Sequence, residues 1–208
     1  ISAVRGATRP EAGSDSYVSD PAKPVPMLPR PVHMQGEEWR TWLVHDQRFV
    51  DGRPDVLSYT TGTLDKPVHV KGAPKVDLRA ATTGRDSDFV VKLIDVYPPN
   101  PSYPHGYALN LTDSIQRLRY RDGRERGELV ESGEVVKVTF PLYPTSNLFV
   151  AGHRIRVDIS SSNFPRFDVN PNTGEAIGCE RRRVVADNTV FHDRQRPSKI
   201  TLPVTPST

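Results

Sequence analysis

Three consecutive serines, Ser160, Ser161 and Ser162, follow His153 and Asp158 closely enough to suggest a nucleophile, a base and an acid that orients it. Such a triad works by geometry, so common residues that are close only in sequence make a weak case for it. Hydrolases of the α/β type also expose their serine on a strained strand-to-helix elbow, G-x-S-x-G. That pentapeptide occurs nowhere in the 208 residues. The chain alone is therefore expected to carry no triad and no catalytic residue.

Other chemistries fare no better. The six histidines, His33, His45, His69, His105, His153 and His192, form neither H-E-x-x-H nor H-x-H, and Cys179 is the single cysteine. A zinc site and an intrachain disulfide are both unexpected. No glycine-rich phosphate loop is present, so no cofactor is expected. Asp168, Asn170 and Asn172 place oxygens at alternate positions, as at the start of a calcium loop. Gly174 comes one position late, however, Pro171 interrupts, and Cys179 stands where the closing Glu should be. The segment reads as a series of turns in which Asp and Asn side chains cap their own backbone, and no metal site is assigned.

Arg117, Arg119 and Arg121, followed by Arg124 and Arg126, would share one face of a strand; Arg181 to Arg183 form a second basic run. Such a face suits phosphate or an acidic partner. With Glu125, Glu128 and Glu131 beside it, it reads as a solvated strand face. No aromatics interleave as base stacking would require. Trp39, Trp42, Tyr97, Tyr103 and Tyr107 leave three options open: a sugar-stacking surface, a core, or an interdomain contact.

The elements that would carry these residues are strands. Proline accounts for 20 residues, about twice average usage, which leaves room for few and short helices. Apolar residues alternate in Ile155, Val157, Ile159 and in Val136, Val138, Phe140, the mark of half-buried strands. Asp88 to Tyr97 is apolar on both faces except at Lys92 and Asp95, as a covered central strand would be. Further strands are expected over Val56–Thr60, Val68–Lys71, Lys75–Ala81, Tyr107–Leu111, Ile115–Tyr120, Thr189–Phe191 and Lys199–Val204. Glycine-marked turns separate them at Gly62, Gly72, Gly84, Gly123, Gly133 and Gly152. About ten short strands without alternating helices predict an all-β antiparallel sandwich. A helical turn is expected in Glu37–Leu43. Residues 1–36 hold six prolines and no periodicity, which suggests an extended Pro-rich arm ahead of a sandwich over 37–208. The net charge of +3 is mild for a nucleic-acid partner. No apolar run is long enough to be a membrane-spanning helix. A chain that opens on Ile1 without a leader reads as a piece of something longer, and its compartment is undetermined.

Several segments together resemble a known domain. They are Tyr17–Pro26, Asp46–Arg48 with Arg53–Leu57, Asp88–Pro98, Gly152–Ile155 and, most specific, Ser160–Gly174. In family order, and over about Tyr17 to Val204, they are similar to the C-terminal domain of the CocE/NonD hydrolases, with the ester hydrolase and acylase branches nearest. The resemblance implies a galactose-binding-like jelly roll packed on an α/β-hydrolase domain whose triad lies upstream. It also implies a supporting role and oligomer contacts. A carbohydrate-binding module of the same general fold is the alternative.

Overall fold

The computed structural model describes residues 13–31 and 41–205. Eleven strands are formed: β1 Ser14–Ser19, β2 Leu57–Thr60, β3 Val68–Gly72, β4 Lys75–Thr82, β5 Asp88–Tyr97, β6 Tyr107–Arg117, β7 Val136–Pro141, β8 Thr145–Phe149, β9 Arg154–Ser160, β10 Ala186–Phe191 and β11 Lys199–Thr201. Their named pairings are all antiparallel. One sheet runs β2-β9-β5-β6. In the other, β1 pairs with β10; β10 and then β11 follow one edge of β4, and β7 lines its opposite edge. A ribbon of β3 and β8 adds a third sheet. This is the antiparallel sandwich that the alternation predicts.

The apolar phase of each strand fixes which face is turned inward. Val76, Leu78, Ala80, Val136, Val138 and Phe140 of one sheet join Phe89, Val91, Leu93, Ile155, Val157 and Ile159 of the other in one buried cluster. Burying each such side chain contributes about 1.5–3 kcal/mol, so the continuous cluster is the main stabilising term. The opposite face of the β2-β9-β5-β6 sheet is buried too, and there polar residues lie beside Val90 and Ile94. Register places Ser58, Asp158, Lys92 and Asp113 in one row across its four strands, with Asp158, Lys92 and Asp113 almost wholly covered. Residues 41–56 and the segment after β9 lie over that row. The central strand Asp88–Tyr97 is thus covered on both sides, and its two polar exceptions are paired, Lys92 with Gln47 and Asp95 with His153.

Four sequence expectations change. Tyr107–Leu111 and Ile115–Tyr120 belong to one strand, β6, which continues through Thr112, Asp113 and Ser114. These polar residues look like a break, but Thr112 donates to the Tyr143 carbonyl and Asp113 is held by Arg166 and Asn163. The register shift between Leu93 and Ile94 marks an irregularity there, and a 3-10 turn, Leu118–Tyr120, ends the strand. Strand β8 was not expected, because only Phe149 of its five residues is buried. Ser14–Ser19, read as part of an extended arm, is a strand of the main sheet: Tyr17 enters the core while its neighbours pair with β10. β11 stops at Thr201, two residues before Pro203 removes a ladder donor. The helical turn expected over Glu37–Leu43 is not among these changes: residues 37–40 lie outside the described residues, Thr41 is helical and Trp42–Val44 form a 3-10 turn.

Candidate interdomain face

The three serines each take part in the fold. Ser160 Oγ donates to the Ser162 carbonyl at 3.0 Å. Ser161 Oγ hydrogen-bonds the Tyr17 hydroxyl at 2.9 Å and accepts from Asn188 Nδ2 at 2.6 Å. Ser162 Oγ accepts from the Val25 backbone N–H at 2.7 Å. Their imagined partners are elsewhere. His153 precedes β9 and Ser160 ends it, about 20 Å apart at the usual strand rise. His153 Nδ1 lies 2.8 Å from Asp95 Oδ1, while Asp158 accepts from Arg156 Nε at 2.7 Å and from Ser58 Oγ at 2.7 Å. The structure does not bring serine, histidine and aspartate together.

In the 168–174 loop, Asn170 turns its Oδ1 to the Asn172 N–H and its Nδ2 to Asp86 and Asp88. Asn172, with φ of 63°, donates to the carbonyls of Ser19 and Val184. The Asn170 bond to the Asn172 N–H is a backbone-capping turn of the kind the sequence suggests, and the other bonds tie the loop to neighbouring segments. The basic stretch differs from expectation. Arg117 grips Asp88 through two bonds of 2.8 and 2.9 Å, and Arg119 reaches Asp86 at 2.6 Å and the Glu175 carbonyl at 2.9 Å. Arg121 donates to the Glu128 carbonyl at 2.7 Å. Because β6 ends at Arg117 and turns, Arg117, Arg119 and Arg121 share no strand face, and they bind the protein's own acceptors. Of the second run, Arg181 and Arg182 fold back on Glu175.

The aromatic residues gather along one edge. Trp39 lies outside the described residues. The 3-10 turn Trp42–Val44 follows β6 in the opposite direction: the Val44 carbonyl accepts from the Tyr107 hydroxyl at 2.8 Å and the Leu43 carbonyl from Asn110 Nδ2 at 3.1 Å. At one end of this edge Tyr97, Tyr103 and Tyr107 lean on one another, with ring centroids 4.5 to 6.3 Å apart, and Tyr97 packs on His153 at 4.2 Å. At the other end the Arg166 guanidinium stands 4.2 Å from the Trp42 ring centre, 5.2 Å from Phe167 and 5.6 Å from Tyr143. Tyr97 meets Tyr103 and Tyr107 edge to face, while Tyr103 and Tyr107 are tilted by 35° to each other. Alternating arginine and aromatic side chains at a surface are the composition of a protein contact.

Beneath this edge lies the buried charged row. Asp113 meets Arg166 Nη2 at 2.9 Å and accepts from Asn163 Nδ2 at 3.1 Å. Lys92 donates to Gln47 Oε1 at 2.9 Å. Burial pulls the Lys92 amine down to about 8, opposed by the carboxylates of Asp113 and Asp158. Burial likewise pushes the Asp113 carboxyl up, against the pull of Arg166 and Lys92. The Asp46–Arg48 stretch fastens the cover. Asp46 accepts from the backbone N–H of Arg48 and of Ala108, and Arg48 donates to the His105 carbonyl at 2.6 Å. Sequence reasoning missed Arg166, Tyr143 and Phe167. The available signal was the Phe164-Pro165-Arg166-Phe167 run, an arginine between aromatics.

A family model described as the X-Pro dipeptidyl-peptidase C-terminal non-catalytic domain matches residues 15–201. Cocaine esterase of Rhodococcus sp. (strain MB1 Bresler) is 39% identical over 200 residues, which is 92% of this chain and 32% of the esterase. A solved α-amino acid ester hydrolase shares 44% identity at a TM-score of 0.90, matched over 95% of this chain and 33% of its own. An aminopeptidase from the marine sediment archaeon Thaumarchaeota archaeon shares 37% at a TM-score of 0.88, over 93% and 33%. The chain thus spans about a third of the length of these relatives. With nearly the whole sandwich inside the matched residues, the chain belongs to the X-Pro dipeptidyl-peptidase C-terminal non-catalytic domain family, the C-terminal domain of CocE/NonD-type hydrolases.

Proposed function

We propose that this chain is the supporting domain of a larger serine hydrolase acting on ester or amide bonds, seated against an α/β-hydrolase domain that carries the nucleophile. The observation that carries this reading is proportion: relatives named as esterase, ester hydrolase and aminopeptidase match this sandwich with only a third of their length. The commitment of Ser160, Ser161 and Ser162 to internal hydrogen bonds agrees with it. The domain braces the catalytic one and shares in oligomer contacts.

The test compares two preparations. The purified chain should turn over p-nitrophenyl esters and cephalosporin-type amides no faster than buffer. The polypeptide encoded with its upstream region should turn over one of these classes. Activity that follows the isolated chain through purification and vanishes on Ser160→Ala, Ser161→Ala or Ser162→Ala would defeat the reading.

A further inference from the structure

We propose that the edge of β6 covered by Trp42–Val44, together with Tyr143 and Arg166, is the surface on which the hydrolase domain of the same polypeptide docks. This rests on the supporting role proposed above. Two observations point to this edge. Tyr143, Leu43 and Val44 are 57, 50 and 49% exposed, yet they adjoin one another through Thr112, whose hydroxyl donates to the Tyr143 carbonyl, and Asn110, which donates to that of Leu43. A monomer keeps few contiguous apolar residues so open. Arg166 lies among three aromatic rings, and aromatics with arginine are the residues that dominate protein contacts.

The occupant is argued from what the relatives carry. Their matching third is accompanied by about two thirds more chain, so a neighbouring domain is at hand without diffusion. A second apolar surface, with Ile177 and Val185 exposed near the far end of β6, is the competitor. There Ile177 lies beside Leu129, Tyr120 and Arg119, and that arginine is held by Asp86 and the Glu175 carbonyl instead of standing among rings.

Two measurements on the full-length polypeptide decide between them. The pair Leu43→Glu and Tyr143→Glu should lower the thermal midpoint by several degrees and speed proteolytic separation of the domains at least fivefold; Ile177→Glu with Val185→Glu should do neither. An equal or larger effect of the second pair, or no effect of either, overturns the proposal. In the unaltered polypeptide, hydroxyl-radical oxidation of Tyr143 should be as slow as that of the buried Tyr17, a result independent of how well the variants fold. Oxidation tenfold faster than Tyr17 would overturn it. Failure of the supporting role reads differently: a protected Tyr143 in a polypeptide that hydrolyses neither esters nor amides leaves the contact standing and removes the hydrolase.

Discussion

At the scale of single residues, a polar side chain here tells little until its partner is known. Lys92 is the clearest case. In the unfolded chain its amine titrates at 10.5, and in the fold burial lowers that to about 8. Between those values the unfolded state binds more protons, so stability rises with pH in that window. The penalty for the buried charge is complete below pH 8 and gone by 10.5, about 3 kcal/mol in all. Urea unfolding of wild type and Lys92→Met at pH 7, 8.5 and 10 should show the difference shifting toward wild type by up to that amount; a constant difference would exclude the lowered amine. Ser161→Ala tests a structural role. Removing the acceptor of Asn188 and the partner of Tyr17 should cost about 1–3 kcal/mol, and hydrolysis by the full polypeptide should not change. None of these roles was legible in the sequence, because a serine that braces Tyr17 and one that attacks an ester have the same side chain.

At the scale of elements, legibility followed burial. Strands with three or more inward apolar residues, such as β5, β7 and β9, stand where the alternation puts them. β1 and β8 bury one large side chain each, Tyr17 and Phe149, and this leaves no period to read. Their partners across the ladder decide them. The loop of residues 168–174 is likewise seated by a neighbour. A Cβ on Gly84 would stand 2.8 Å from the Asn172 carbonyl oxygen and 3.1 Å from that of Asp86, both rigid backbone atoms. Gly84→Ala should therefore push the loop off the β4 end and destabilise the domain by about 1–3 kcal/mol, the usual range for overpacking. Thermal unfolding measures this. An unchanged midpoint would mean that the Asn170–Asn172 turn moves freely.

At the scale of the molecule, one core joins both sheets. Phe89 is wholly buried at its centre. Phe89→Ala should cost about 3–5 kcal/mol, a large part of the roughly 5–15 kcal/mol that holds a domain folded. Its thermal midpoint should fall by roughly 10 °C, with the loss visible in near-ultraviolet circular dichroism; a shift under 2 °C would show that the two sheets are not packed through this ring.

What the sequence determined by itself is the fold class, its strand-rich order, the central place of β5 and the family. These follow from proline content, period-two patterning and long motifs, all of which are local along the chain. Only the tertiary structure decided that Arg117 and Arg119 turn to the buried Asp88 and Asp86, that Lys92, Asp113 and Asp158 form one buried row, and that Trp42, Tyr107, Tyr143 and Arg166 meet at one edge. Each depends on register between strands distant in sequence, and a one-residue slip would turn the same side chains to the other face.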